Sequence, residues 1–189
     1  MPDYTDYSGA ATSNLIPART EAPIRIAVQA GDADVEDGHG CLKRGSKGDS
    51  LMLNLECTIT DGPFAKRKFF HGLYMGPERS KPTEGQQTGI DMSREKIRAI
   101  AEAARGFAPS DESPAAIASR KLKTLRDLDG MEVTVIIGVE EGEGSYDDRN
   151  NIKRVVAVGK AKPVDGSLPL KGAPAATAAK PRPQQQQSW

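Results

Sequence analysis

Leu51-Met52-Leu53-Asn54-Leu55-Glu56-Cys57-Thr58-Ile59-Thr60 is the stretch that decides the fold. Apolar and polar residues alternate along it, the period of a strand buried on one face only. Leu51, Leu53, Leu55, Cys57 and Ile59 then face a core, while Met52, Asn54, Glu56 and Thr58 face outward. Asp61-Gly62-Pro63 ends the run with a turn, and a further strand is expected over residues 67–75. Upstream, residues 23–28 alternate in the same way. Downstream, residues 131–137 alternate before becoming continuously apolar, and residues 151–158 supply a last strand.

The segment between the third and fourth strands changes period. Ile97, Ile100, Ala101 and Ala104 recur at helical spacing, with Ser93 as N-cap and Gly106 to close the helix. Ser113-Pro114 starts a second helix, because proline tolerates the first helical position. Ile117, Leu122, Leu125 and Leu128 mark its inner face as far as Gly130. The order β-β-β-α-α-β-β predicts a mainly β fold, a five-stranded OB-fold-like barrel with helices inserted between strands 3 and 4. This domain is expected over residues 23–162. Residues 1–22 read as a loosely ordered lead-in. Residues 163–189, rich in Ala, Pro, Lys and Gln, read as a disordered low-complexity tail that cannot bury enough apolar surface to order itself.

Composition narrows the function classes. Lys plus Arg and Asp plus Glu both number 26, so the chain as a whole has no attraction for polyanions. The charge is unevenly spread, however. Residues 1–40 hold two Arg against seven acids, and residues 41–80 hold seven cations against four acids. Two cysteines, Cys41 and Cys57, do not make a disulfide framework. No basic region followed by an apolar run opens the sequence, and the longest apolar run, near residues 133–139, is far short of a membrane span. A cytoplasmic protein without membrane contact is the expectation.

Three stretches can carry binding chemistry. In Lys66-Arg67-Lys68-Phe69-Phe70-His71-Gly72-Leu73-Tyr74, cations sit beside rings, the combination that single strands require for phosphate contact and base stacking. With Leu73 inward, Phe69 and His71 also turn inward, and Lys68, Phe70 and Tyr74 share the other face. The competing reading makes both phenylalanines core residues at a bend and the basic triplet a solvated hairpin. Lys43-Arg44-Gly45-Ser46-Lys47-Gly48 is a glycine-rich basic loop, either closing over a phosphate backbone or serving as a flexible turn. It lacks the spacer of a Walker loop and precedes a strand. Tyr146, Arg149, Lys153 and Arg154, around the last turn, offer a ring and three cations beside Asp147 and Asp148, acids that also suit turn hydrogen bonding.

Signals for catalysis are weak, and no enzyme activity and no cofactor are expected. Asp32, Asp34 and Glu36 are spaced as in a calcium loop, but Asp37 stands where glycine is required and Lys43 where the bidentate glutamate belongs. His39, Cys41, Cys57 and His71 are zinc-ligand types, yet His39 and Cys41 are spaced too closely for the usual ligand pair. A metal-dependent nuclease built on Asp147 and Asp148 is the enzymatic alternative.

Taken in order, Lys47-Gly48, the strand over 51–60, Asp61-Gly62-Pro63-Phe64-Ala65-Lys66-Arg67 and Phe69-Phe70-His71-Gly72-Leu73 resemble phage- and prophage-encoded single-stranded-DNA-binding proteins with an OB-fold. The helical insert, the Leu128-Asp129-Gly130 turn and Tyr146-x-Asp148-x-Asn150-x-Ile152-Lys153 continue the resemblance, which spans about residues 22–160. It implies sequence-independent binding of single-stranded DNA in phage or plasmid replication and recombination, without cofactor, in the host cytoplasm. It also implies that Lys66, Arg67, Phe70, Tyr74, Tyr146, Lys153 and Arg154 make the contacts. The tail departs from the acidic ends of many such proteins. It carries Lys171, Lys180 and Arg182, has no acid after Asp165, and closes on Trp189. Trp189 is accordingly the expected anchor for a replication or recombination protein. An exposed edge strand makes a homodimer possible. The alternative from another class is a protein-interaction barrel, a phage structural or accessory subunit, whose outer face would be apolar instead of basic.

Overall fold

The computed structural model describes residues 15–35, 40–45, 49–142 and 147–158. Lys47, Tyr146, Trp189, the His39 ligand type and the proposed tail lie outside the described residues. The described residues form six strands, one long helix and one short one: β1 (Thr20–Val28), β2 (Leu42–Arg44), β3 (Leu51–Ile59), β4 (Lys68–Gly76), α1 (Glu84–Ala104), α2 (Pro114–Ser119), β5 (Glu132–Glu140) and β6 (Arg149–Val155). A single 3₁₀ turn, Leu125–Leu128, precedes β5.

The alternation over 51–59 appears as expected. All five odd positions of β3 are buried, and the four between them are half-buried. β3 is also the hub of the sheet. β4 pairs with one edge of it along its length. β1 and β2 share the other edge, β1 from Leu55 to Ile59 and β2 from Leu51 to Leu53. β1 then pairs with β5, and β5 with β6, all antiparallel. The core forms where the inner faces meet: Ile24 and Ile26 of β1, Leu53 and Leu55 of β3, Val135 and Ile137 of β5, and Ile152 of β6, with Ile100 of α1 and Leu128 across the end.

Two features correct the expectation of a five-stranded OB-fold-like barrel. β2 is a sixth strand, and the sheet is not closed by hydrogen bonds, because β4 and β6 approach each other without forming a ladder. Side chains span that seam. The Ile152 N–H donates to His71 Nδ1 at 3.4 Å, and Lys96 of α1 donates to the Ile152 carbonyl at 2.7 Å. Lys96 Nζ also lies 3.3 Å from His71 Nε2.

The helix begins earlier than expected. Thr83, not Ser93, is the N-cap, with Gln86 completing a reciprocal capping box. Ser93 is a buried mid-helix residue facing the sheet. Gly106 ends the helix with φ at +81°, a conformation that suits glycine. The second helix starts at Ser113-Pro114 as expected but stops at Ser119, so the anticipated continuous face to Leu128 is divided. Glu102, 2 % exposed, ties the two helices together, accepting from Arg98 at 2.8 Å and from Arg120 at 2.6 Å. Both cations are needed at such a site, since an unpaired buried carboxylate is strongly destabilising.

Of the lead-in over residues 1–22, expected to be loose, residues 20–22 begin β1, and the Arg19 N–H donates to the Ile137 carbonyl at 2.8 Å. Ile16 is buried, and Asn150 clasps it by accepting from its N–H and donating to its carbonyl, both at 2.8 Å. A second donation from the same amide, to the Gly138 carbonyl at 3.1 Å, fixes the clasp to β5. Among the described residues no helix is long and apolar enough to cross a membrane.

Candidate functional site

β3 and β4 build the site because their alternation leaves a row of side chains outside the core. The cross-strand register pairs Thr58 with Lys68, Glu56 with Phe70, Asn54 with Gly72 and Met52 with Tyr74. Phe69, His71 and Leu73 point inward and are buried. Phe70 points outward and is 59 % exposed. A phenyl ring so placed contributes nothing to the core. It stands free beside a groove of about 1080 Å³.

The groove follows the open seam. Met52, Asn54, Lys68, Phe70 and Gly72 of β3 and β4 line it, together with Glu140, Asp147, Asp148, Arg149 and Asn151 from β5, β6 and the segment before β6. Its charges are largely paired. Lys68 Nζ lies 2.7 Å from Glu56 Oε1, and Arg149 grips Glu140 through two nitrogens at 3.0 and 3.2 Å. The hydrogen bonds from Arg149 hold the Glu140 carboxyl below its ordinary pKa. Asp148 accepts from the Gly142 N–H at 3.0 Å, the turn role that its position suggested.

Of the residues expected to bind, Lys68, Phe70 and Arg149 meet in this groove. Tyr74 lies on the same face of β4, but its ring packs on α1 at Gly89, where a Cβ would sit 3.1 Å from Tyr74 Cδ1. Its hydroxyl is buried and has no partner among the described residues, so Tyr74 is a packing residue and not an open stacking ring. Arg44 is also committed elsewhere. Its guanidinium binds both oxygens of Asp34 at 2.8 Å and both of Glu78 at 2.5 and 2.8 Å. Those carboxylates push the Arg44 pKa up and hold Asp34 and Glu78 down. The arginine therefore ties β2 to the segment after β4. Lys43, its neighbour, is exposed opposite Met52. Lys66 and Arg67 occupy the turn between β3 and β4, Lys66 with φ at +70° and Arg67 with its guanidinium 5.7 Å from the Phe64 ring. Lys153 and Arg154 are exposed on β6 at a register shift opposite Ile136 and Ile137.

Sequence reasoning passed over Asn54, Gly72, Glu140 and Asn151. Asn54 was already on the outward register of β3, and its position opposite Gly72 was the missing information. The zinc-ligand types are spent on other work. Burial, followed by the nearby Lys96, pushes the His71 imidazole down to about 4, so it is neutral at pH 7. Burial pushes the Cys57 thiol up to about 12, far from a thiolate ligand. Among the described residues no group of three His, Cys, Asp or Glu side chains is arranged to hold a metal ion. No protein-family model matches the chain, and a search of curated proteins finds no match.

Proposed function

We propose that the groove beside β3 and β4 binds single-stranded DNA without regard to sequence, by stacking bases on Phe70 and drawing phosphates to the lysines around it. The observation that carries this reading is the 59 % exposed ring of Phe70 on the outer face of β4, between Lys68 and Gly72. A single exposed apolar side chain is ordinary on a protein surface, and it is the place of this ring in the lining of a groove, beside Lys68, that favours a binding role. A flat, sequence-tolerant partner with a charged backbone also fits the neighbouring Lys68.

The architecture supports the same reading. With β2 set aside, the pairing order β4-β3-β1-β5-β6, with α1 between β4 and β5, agrees with an open OB-like barrel. In that fold the face of the second and third strands, flanked by two loops, receives oligonucleotides. Here those strands are β3 and β4, and the loops are those before β3 and after β5. A role in phage or plasmid replication or recombination follows from such an activity.

A second reading has one observation in its favour. Because Lys68 and Arg149 already hold carboxylates, the groove is less basic than a polyanion site requires, which favours a protein partner for the exposed Phe70. Fluorescence anisotropy with labelled oligo-dT and a duplex of equal length, titrated from low to moderate salt, separates the two. Tight binding to the single strand, weak binding to the duplex and a loss on Phe70→Ala support the first reading. No binding at low salt overturns it in favour of the protein partner.

A further inference from the structure

The outer face of β4 has a gap in its row of side chains. Gly72 lies between Phe70 and Tyr74, and its cross-strand partner is Asn54. A Cβ built on Gly72 would fall 3.1 Å from Met52 Cε and 3.4 Å from Asn54 Oδ1, so these two atoms bound the gap on the β3 side. Gly72 itself is exposed in the groove, with no side chain of its own over the backbone, a ring on one flank and an amide facing it. Asn54 has its backbone carbonyl occupied by the Gln29 N–H at 2.9 Å. Among the described residues its side-chain amide makes no hydrogen bond, which leaves a donor and an acceptor together at the edge of the gap.

We infer that Gly72 and Asn54 form a seat for one nucleobase, stacked against Phe70 over the bare backbone with its polar edge at the Asn54 amide; this rests on the proposed single-strand binding. Three chemical features point to the same occupant. Only glycine lets a flat ring lie directly on a strand backbone, since any Cβ holds it off. Phe70 supplies a π-face, which every base can use. An amide that presents its donor and acceptor in either order by a half-turn matches the mixed edge of any base. The seat thus holds a base without choosing among the four. Gly72 and Asn54 are positioning residues, and the ring of Phe70 makes the stacking contact.

Gly72→Val tests the seat with the full-length protein. Valine suits an exposed strand position, and the first atom it meets, Met52 Cε, is the mobile end of a flexible side chain. Oligo-dT with a single 2-aminopurine reports both affinity and stacking, while circular dichroism follows thermal unfolding. The expected result is an unchanged Tm with affinity about tenfold weaker or worse, the size of one lost stack. The quenching of 2-aminopurine seen with the wild type should also be lost. Asn54→Ala should weaken binding less and keep the quenching. Should valine prevent folding, Gly72→Ala carries the same test with a smaller expected loss. Wild-type affinity and quenching in a folded Gly72 variant would overturn the seat while leaving single-strand binding intact. Failure of the wild-type protein to bind oligo-dT would instead remove the functional reading on which the seat rests.

Discussion

The two faces of β4 show one strand under opposite demands. Phe69, His71 and Leu73 turn inward and are buried, whereas Lys68, Phe70 and Gly72 turn outward to the groove. Two phenylalanines side by side thus have unrelated roles. Phe69 is 5 % exposed and packs the core, and Phe70 is 59 % exposed and packs nothing comparable. The lesson is that residue type does not separate structural from functional positions here, and the register of the strand does.

The largest expected effect lies on the inner face. Leu73→Ala should destabilise the protein by about 2–5 kcal/mol, from lost burial and the cavity left behind. Phe70→Ala should change stability by no more than about 0.5 kcal/mol, as for a surface position, while removing about 1–3 kcal/mol of oligonucleotide binding. Urea unfolding of both variants beside anisotropy titrations checks the division. A Phe70→Ala protein as unstable as Leu73→Ala would erase the contrast between the faces.

Much of that contrast is legible in the sequence. The alternation of 51–59 identifies β3, and fixing Leu73 inward places Phe70 outward. What escapes is whatever depends on distant partners. Arg44 resembles a phosphate ligand until Asp34 and Glu78, ten and 34 residues away, are seen to hold it. Tyr74 resembles a stacking ring until α1 covers it. Asn150 gives no sign that it clasps Ile16 from 134 residues away. β2 is three residues long, too short for periodicity to register. The start of α1 was hidden because Gly85 and Gly89 dilute the helical signal, although the Thr83 and Gln86 capping box was there to be read.

The next effect comes from His71, the polar member of the inner face. Its imidazole accepts from the Ile152 N–H across the seam, and protonation would remove that acceptor and set a second cation against Lys96. Its pKa lies near 4 in the folded protein and 6.5 when unperturbed, so unfolded chains bind the proton first as pH falls. Above pH 6.5 both states are neutral and the residue exerts no pH effect. Between 6.5 and about 4 stability should drop, by up to about 3 kcal/mol in all. Chemical unfolding of the wild type and His71→Gln between pH 7 and 4.5 should show a shallower decline in the variant. Parallel declines would mean that the seam does not hold its histidine neutral.

The smallest effect sharpens the outer face. Lys66 at the β3–β4 turn is exposed, whereas Lys68, two residues on, lies 2.7 Å from Glu56. A lysine already paired with a carboxylate neutralises little phosphate charge and so displaces few counterions from the DNA, and its removal leaves Glu56 unpaired beside the strand. Lys66→Ala should therefore lower the slope of log affinity against log salt by about 0.7, the value for one phosphate contact on a single strand. Lys68→Ala should weaken binding with a smaller change in slope, because Lys68, held by Glu56, neutralises phosphate less fully than Lys66 does. If the two variants change the slope equally, the Lys68–Glu56 pair opens on binding and both lysines reach phosphates. If only Lys68→Ala changes it, the strand crosses the groove without reaching the turn.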